Sequence, residues 1–412
     1  MAEFAIHPVQ RFAGPSQPVR RPKEFTCFSY DDDHALHLDD RSLRWYYPPQ
    51  QLDVDLSRGF ERFDQLDEAS AGDEHLDSLL AAIAAHEQST GAKIDAQVVT
   101  WRGMMTKIMA SPYDDRDGFI EENHAYKVAA QREQNARRSR PPARPNPNQP
   151  WFPPEVMTYW GYKFETLATL PAPWGETSRD YIEGRDGLVV SNKAQYCSVV
   201  RTGIGPTILC LGGEVDAVWD AKPNRPGDPV HWVELKTSQV VDGPRDLAAF
   251  ERKLLKFWLQ SFLLGVPTIV VGFRSRAGRL VRLEEIATAT IPGTVRQRAQ
   301  QAQAHYAQQQ QPPPPYARGP PPSSAQYATP PAGPPWDGDT CINFAAAFLG
   351  WLRTVISEDN EDGGDGVWRI RRRPGGKHIE VFRVETTGHG RILPDTFLNW
   401  RIKLAVGGAV GS

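Results

Sequence analysis

Gly213-Glu214-Val215-Asp216-Ala217-Val218 and His231-Trp232-Val233-Glu234-Leu235-Lys236-Thr237 decide how this chain is read. Both look like short strands, with apolar residues alternating with charged ones at a period of two. Successive side chains on a strand leave opposite faces. Glu214 and Asp216 therefore share a face with Val215 behind them, and Glu234 and Lys236 share a face with Leu235 behind them. Three carboxylates and one ammonium can then converge on one spot, the inventory of a divalent-metal site that cuts phosphate esters. The plainer alternative is a pair of amphipathic strands with one solvated face. Against it, Val215, Val218, Trp232, Val233 and Leu235 suit central, buried strands. Carboxylates on such strands are costly unless paired or metal-bound.

Working outward, Thr268 to Phe273 (TIVVGF) reads as a short buried strand, and Asn192 to Arg201 and Thr207 to Leu211 as further strands. Leu247 to Leu264 is helical, with Leu247, Phe250, Leu254, Phe257, Trp258 and Ser261 in an i, i+3, i+4 rhythm. Lys253, Lys256 and Gln260 make a polar stripe on another face. Trp151 to Leu170 is a helix that carries Glu165. Val98 to Pro112 (VVTWRGMMTKIMASP) is a strand running into a helix, and Glu74 to Glu87 has helical spacing at Leu76, Leu79, Leu80 and Ile83. Arg41 to Pro49 (RSLRWYYPP) suits an edge strand or a packed extended segment. Late in the chain come a helix from Cys341 (INFAAAFLGWLRTVI follows it), an acidic loop from Glu358 to Asp365, and a hairpin-like pair, Val367 to Arg372 and His378 to Val384. The order is mixed α and β, without a Gly-rich βαβ fingerprint.

With 412 residues, 40% hydrophobic and 12 Trp, the chain can bury a large core in one or two domains. Net charge is −3, so no global basic field attracts nucleic acid, and a polyanionic substrate needs a local basic groove. Cys27, Cys197, Cys210 and Cys341 lie far apart without a CxxC pair, which argues against a zinc site and a disulfide framework. A reducing compartment, nucleus or cytosol, is the simpler reading. The N-terminus has no apolar signal core, and the run Phe262 to Phe273, interrupted by Gly265 and Pro267, is too short to span a membrane. The expectation is a soluble protein.

Residues 1–22 read as a Pro-dotted extended tail, 23–295 and 337–401 as one domain, 296–336 as a Gln/Pro-rich disordered insertion, and 402–412 as a C-terminal tail. Arg132 to Pro150, rich in Arg, Pro and Asn, reads as an exposed connection.

Phosphodiester hydrolysis needs an activated water, a neutralised phosphate and a stabilised leaving oxygen. Two metal ions about 3.5–4 Å apart can supply all three. Mg²⁺ takes oxygen ligands and keeps several waters, and Glu214, Asp216 and Glu234 offer such oxygens. A lysine beside the metal, here Lys236, can hold the scissile phosphate or orient the attacking water.

An Asp followed on the next strand by Glu-x-Lys resembles the core of restriction-endonuclease-like nucleases. Trp101-Arg102-Gly103, Gly161-Tyr162-Lys163-Phe164-Glu165, Glu214-Val215-Asp216, Glu234-Leu235-Lys236 and Gln260 stand in one order with suitable spacing. Together they resemble the DXO family of RNA 5′-end decapping nucleases. The likeness extends to Cys27-Phe28-Ser29, Arg44 to Pro49, Tyr196 to Val199, Lys253 to Phe273 and Asn343 to Leu349, and covers most of the chain from Cys27 to about Ser357.

That resemblance implies an α/β domain with two central mixed sheets flanked by helices and a pocket between the sheets. It implies Glu165, Glu214, Asp216 and Glu234 as metal-binding carboxylates, with the main-chain carbonyl of Leu235 completing the shell. Lys236 and Gln260 would contact the scissile phosphate and its water. Arg102, with Trp101 and Gly103, would hold phosphates of the backbone or cap, and Glu74 and Cys197 would touch substrate. Each has a plainer reading. Glu165 and Gln260 suit a solvated helix surface, Arg102 a surface ion pair, and Cys197 a small buried hydrophobe. Lys253 and Lys256 are ordinarily a solvated face, or else track an RNA backbone. Tyr46 and Tyr47 suit core packing better than base stacking.

The implied reactions are pyrophosphate release from 5′-triphosphate RNA, removal of unmethylated caps and removal of nicotinamide-dinucleotide (NAD) caps, with Mg²⁺ or Mn²⁺ as two-ion cofactor. One branch of the family is nuclear and stabilises a 5′-3′ exoribonuclease, and overall similarity and the long polar insertion point to that branch. The insertion and the short C-terminal end depart from better-known members, which bears on partner docking. The competing readings are a non-catalytic scaffold for the exoribonuclease, supported by Trp351, Trp368 and Trp400 outside the motifs, and a DNA endonuclease with the same acidic core. All four carboxylates and Lys236 are present, which speaks against a dead enzyme.

Overall fold

The acidic strands expected from the sequence lie where two sheets meet. In this computed structural model residues 1–66, 75–114, 119–120, 150–223, 225, 227–309, 334–358, 367–383 and 392–409 are described. In chain order the strands are β1 (Ala2–Ala5), β2 (Val19–Tyr30), β3 (Leu36–His37), β4 (Trp45–Tyr46), β5 (Val98–Trp101), β6 (Phe119–Ile120), β7 (Thr169–Leu170) and β8 (Gln195–Ile204). They continue as β9 (Thr207–Glu214), β10 (Ala217–Val218), β11 (Trp232–Gln239), β12 (Thr268–Arg274), β13 (Leu280–Ala287), β14 (Trp368–Arg372) and β15 (His378–Arg383). The helices are α1 (Asp77–Thr90), α2 (Arg102–Ala110), α3 (Pro154–Ala168), α4 (Arg179–Gly184), α5 (Pro244–Leu264), α6 (Ile291–Gln309), α7 (Gly338–Glu358) and α8 (Asp395–Ala409).

A five-stranded sheet runs β3-β2-β8-β9-β5 and a six-stranded sheet runs β13-β12-β11-β10-β4-β7; a four-stranded sheet, β1-β15-β14-β6, stands apart from both. The first two are mixed: β5 is parallel to β9 and β11 to β12, while β8 is antiparallel to β9 and β12 to β13. Two central mixed sheets flanked by helices are thus present, with the small third sheet as an addition. Helix α5 buries Phe250, Leu254 and Trp258 in the main core as its spacing predicts, alongside Met105 of α2 and Phe344 and Phe348 of α7. A second core lies beneath α3, around Tyr159, Trp160 and Phe164. The third lies between α1 and the five-stranded sheet, around Leu79, Leu80 and Phe28.

Several boundaries differ from the sequence reading. Residues 1–22 are not a tail: β1 pairs antiparallel with β15, and β2 begins at Val19. Phe4, Ile6 and Phe12 are buried, with Phe4 packed edge-on against Phe344 and Phe348. These few apolar side chains cover a face of α7 that would otherwise be bare. The stretch 296–336 begins inside α6, which continues to Gln309, and ends at a buried Trp336. That ring stacks on Trp258 at 5.6 Å, and its Nε1 donates to Glu251 O at 2.7 Å. Arg296 Nη2 bonds Asp337 Oδ2 at 2.8 Å and Asp339 Oδ2 at 3.0 Å, so both ends of the excursion are stapled together. Residues 310–333 lie outside the described residues, as do 132–149 of the Arg-rich connection and 359–365 of the acidic loop.

Residues 402–409 belong to α8 and not to a tail. Trp400 Nε1 and Arg401 Nη2 both reach the buried carboxylate of Glu87, each at 2.9 Å. Of the Arg41–Pro49 stretch, Trp45–Tyr46 is an interior strand between β10 and β7, and not an edge. Among the described residues no helix is long and apolar enough to cross a membrane. None of the four cysteines is in a disulfide.

Candidate active site

The chain steps from the five-stranded sheet to the six-stranded sheet across Glu214–Ala217, between the end of β9 and the start of β10. Cys197 pairs with Glu214, and the Val215 N–H donates to Tyr196 O at 3.1 Å, which fixes the step. Glu214, Val215 and Asp216 all line one cavity at this step, with Val215 the buried member of the three. Close packing requires a bare backbone just before them. A Cβ on Gly213 would lie 2.9 Å from Leu264 Cδ1 of α5 and 3.0 Å from Arg102 Cβ of α2.

From the six-stranded sheet, β11 brings Glu234, 1% exposed, and Lys236 onto one face, with Lys236 Nζ 2.6 Å from Glu234 Oε1. Arg102, the first residue of α2, approaches the other oxygen, Nη1 to Oε2 at 3.4 Å. The Leu235 N–H donates to Asp216 Oδ2 at 2.6 Å and ties the two acidic segments together. Glu165 comes from α3. The neighbouring Phe164 seats that helix on the sheet, because Gly272 of β12 presents no side chain; a Cβ there would be 2.8 Å from the ring. Glu165, Glu214 and Asp216 then share a cavity of about 220 Å³ with Arg44 and Tyr162.

The electrostatics show that these acids sense one another. Burial, then Asp216 and Glu214, drive Glu165 well above the ordinary carboxylate range. Burial also raises Glu214. Asp216 is pushed up to about 7, by burial first and then by Glu234. Glu234 goes the other way. Burial pushes it up, but Lys236 and then Arg102 outweigh that and hold it below its usual value. Burial lowers Lys236, yet Glu234 and Asp216 leave it raised. Four carboxylates thus stand with Lys236 and Arg102 beside Glu234 and Arg44 on the cavity wall, so acidic groups outnumber basic ones.

The donor set fits a hard divalent cation, which favours carboxylate oxygens and would supply the missing charge. The oxygens are not already drawn into a cage: among the described residues no three His, Cys, Asp or Glu side chains stand as a ready ligand group. Glu234 is engaged by Lys236 and Arg102, and one Asp216 oxygen by Leu235, which explains why charge gathers here without converging.

The structure therefore brings together Glu165, Glu214, Asp216, Glu234, Lys236, Leu235 and Arg102. Gln260 is half-buried on α5, one turn before the Leu264 that meets Gly213. Trp101 packs edge-on against Phe28, and its Nε1 donates to His75 O at 2.7 Å, so its ring braces the third core. Gly103 leaves open space at the first turn of α2. Cys197 is buried in the third core, the plainer of its two readings, although it lies across the ladder from Glu214. Glu74 lies outside the described residues. Lys256 pairs with Asp114 at 2.9 Å and Lys253 donates to Ser238 Oγ at 3.4 Å, so both lysines of that stripe have protein partners. Arg44 was not expected on the cavity wall. Its guanidinium makes no ion pair with a described residue, and the sequence placed it in the Arg44–Pro49 stretch of the family likeness without giving it a role.

Comparison with known proteins gives the family. Residues 20–312 and 323–398 match the family model described as RAI1 like PD-(D/E)XK nuclease. The chain belongs to that family. It is a hydrolase acting on phosphate esters, of a nuclease family that uses divalent metals. A curated relative, decapping nuclease RAI1 of Gibberella zeae, is 54% identical over 421 residues, covering 98% of each chain. The crystal structure of Candida albicans Rai1 in complex with pU5-Mn²⁺ superposes with a TM-score of 0.78 at 28% identity, covering 98% of this chain and 100% of that one. Scheffersomyces stipitis Rai1 in complex with (3′-NADP)⁺ and calcium ion gives 0.77 at 25% identity, with the same coverage.

Proposed function

We propose that this RAI1-family chain is a metal-dependent hydrolase of RNA 5′ ends acting in RNA quality control. It releases pyrophosphate from 5′-triphosphate RNA and removes unmethylated and NAD caps, using Mg²⁺ or Mn²⁺ as two ions. The observation that carries this reading is the gathering of Glu165, Glu214 and Asp216 in one cavity, with Glu234 and Lys236 joined to them through the Leu235 N–H on Asp216. Support for RNA and for a dinucleotide cap comes from the relatives' complexes with pU5 and (3′-NADP)⁺.

The residues divide the work. Glu165, Glu214, Asp216, Glu234 and the Leu235 carbonyl hold the cations, which when bound activate water and neutralise the phosphate. Lys236 Nζ, beside Glu234, orients the scissile phosphate together with Gln260. Helix α2 starts without a side-chain cap and has open space at Gly103, and with Arg102 its first turn suits a phosphate. Arg44, lacking an ion-pair partner among the described residues, binds a second phosphate group of the 5′ end. Family membership further supports a nuclear protein that stabilises a 5′-3′ exoribonuclease; co-purification of that enzyme from nuclear extract tests the partner, and its absence counts against it.

The deciding experiment incubates the protein and Mg²⁺ with RNAs bearing triphosphate, unmethylated-cap, methylated-cap, NAD-cap and monophosphate ends, with products identified by mass. Release of pyrophosphate or an intact cap, stopped by EDTA and absent in Asp216→Ala and Glu234→Ala, is expected. No product from any end, or unchanged turnover in both variants, overturns the proposal.

A further inference from the structure

Glu214 and Glu234 enter the site from different sheets, so something must hold the sheets in register. A polar cluster behind the site spans that junction. On the five-stranded sheet, Glu24 of β2 faces Tyr196 and Ser198 of β8, accepting from Tyr196 OH at 3.0 Å and from Ser198 Oγ at 2.6 Å. The β2–β8 ladder is irregular between Glu24 and Thr26, the kind of local break that re-aims a side chain. On the other side, Lys222 lies in the connection between β10 and β11 of the six-stranded sheet. Its Nζ is 2.8 Å from Glu24 Oε1 and donates to Tyr196 OH at 2.7 Å. The ammonium also sits over one ring from each sheet, 5.0 Å from the centre of Tyr196 and 5.9 Å from that of Trp232. Those rings touch, centres 5.4 Å apart.

Both rings are wired to the acids. Tyr196 supplies the carbonyl that receives the Val215 N–H, between Glu214 and Asp216. Trp232 opens β11 two residues before Glu234. The pair is mostly shielded, with side chains 22% and 12% exposed for Lys222 and Glu24.

We infer that the Lys222–Glu24 ion pair is a positioning clamp across the two sheets, which sets the spacing of Glu214 and Asp216 against Glu234 and thereby the affinity for divalent cations. This rests on the proposed metal-binding role of those carboxylates. Glu24 and Lys222 do not line the cavity and act through Tyr196, which does, and through Trp232. Supports behind metal ligands typically change affinity by about 10–100-fold when removed.

The test measures Mn²⁺ binding to the intact chain by calorimetry, with urea unfolding of each variant alongside. Lys222→Met and Glu24→Gln are expected to weaken Mn²⁺ binding about tenfold or more, while Lys222→Arg stays near the unsubstituted protein. Glu24→Gln keeps an oxygen for Tyr196 and Ser198, so it carries the test if Lys222→Met does not fold. A purely structural staple would lower the urea midpoint and leave the dissociation constant of the folded protein unchanged; affinities within about twofold in folded variants overturn the clamp alone. Absence of Mn²⁺ binding in the unsubstituted protein overturns the metal-site reading itself and the clamp with it.

Discussion

The Leu235 N–H donates to Asp216 Oδ2 at 2.6 Å, so a carboxylate from the step between sheets takes the place of a backbone acceptor beside β11. Asp216 therefore has a structural and a chemical task that substitution can separate. Asp216→Asn keeps an acceptor for Leu235 and removes the charge. It is expected to fold with near-normal urea stability and to lose Mn²⁺ binding and turnover. Asp216→Ala also strands a buried N–H, costing roughly 1–3 kcal/mol more. Equal stability of the two variants would show that the hydrogen bond contributes nothing.

The raised carboxyls predict an unusual pH dependence without metal. Asp216 sits at about 7 in the folded chain, and Glu165 is also raised. In the unfolded chain such groups titrate near ~4. Folding therefore takes up protons, and this contribution to stability is full below the unfolded value and lost as pH rises through about 7. Glu234, lowered, has its opposite window below the ordinary carboxylate range. In EDTA, the melting temperature should fall between pH 5 and pH 8, less steeply in Asp216→Asn, and Mn²⁺ should restore it at pH 8. A melting temperature that climbs over that interval contradicts the charge reading of the site.

Glu234→Gln removes the shared anion of Lys236 and Arg102. Stranding two cations beside a buried site should cost roughly 2–4 kcal/mol, below the value for a fully sealed pair because Lys236 remains partly exposed. Denaturant titration measures it. Combining the change with Lys236→Met should recover part of the loss, and strict additivity would deny the coupling.

Gly272→Ala places a methyl group 2.8 Å from the Phe164 ring. An anchored aromatic has little room to yield, so about 1–3 kcal/mol of stability should be lost. Activity should drop as well, since α3 carries Glu165 next in sequence. Phe164→Leu in the same chain should relieve the clash in part; no recovery would mean that the strain lies elsewhere.

Arg44→Met should raise KM for 5′-triphosphate RNA by about tenfold or more with a smaller change in kcat, as expected for a lost charge-assisted phosphate contact. A KM unmoved by this change would remove Arg44 from the substrate path.

Much of the acidic centre was legible because its signals are local. Alternation placed Glu214 with Asp216 and Glu234 with Lys236, and a 3.6-residue rhythm found α5. Alternation gives a face but not a sheet, so the step at Val215 between two sheets was invisible. Four residues of β1 carry too little pattern to announce a strand, and their partner β15 lies at the other end of the chain. The Gln-rich start of 296–336 hid a helix because its apolar anchor, Val295, precedes it. Arg44 became a cavity residue only through packing that joins β4 to β10. Glu74, assigned by resemblance, falls outside the described residues.

The staple of Arg296 on Asp337 and Asp339 stands beside Trp336, which stacks on Trp258 in the core. Because Arg296 belongs to α6 and Asp339 to α7, the contact fastens two helices directly, and a pull on either one is passed to the other and to the α5 ring between them.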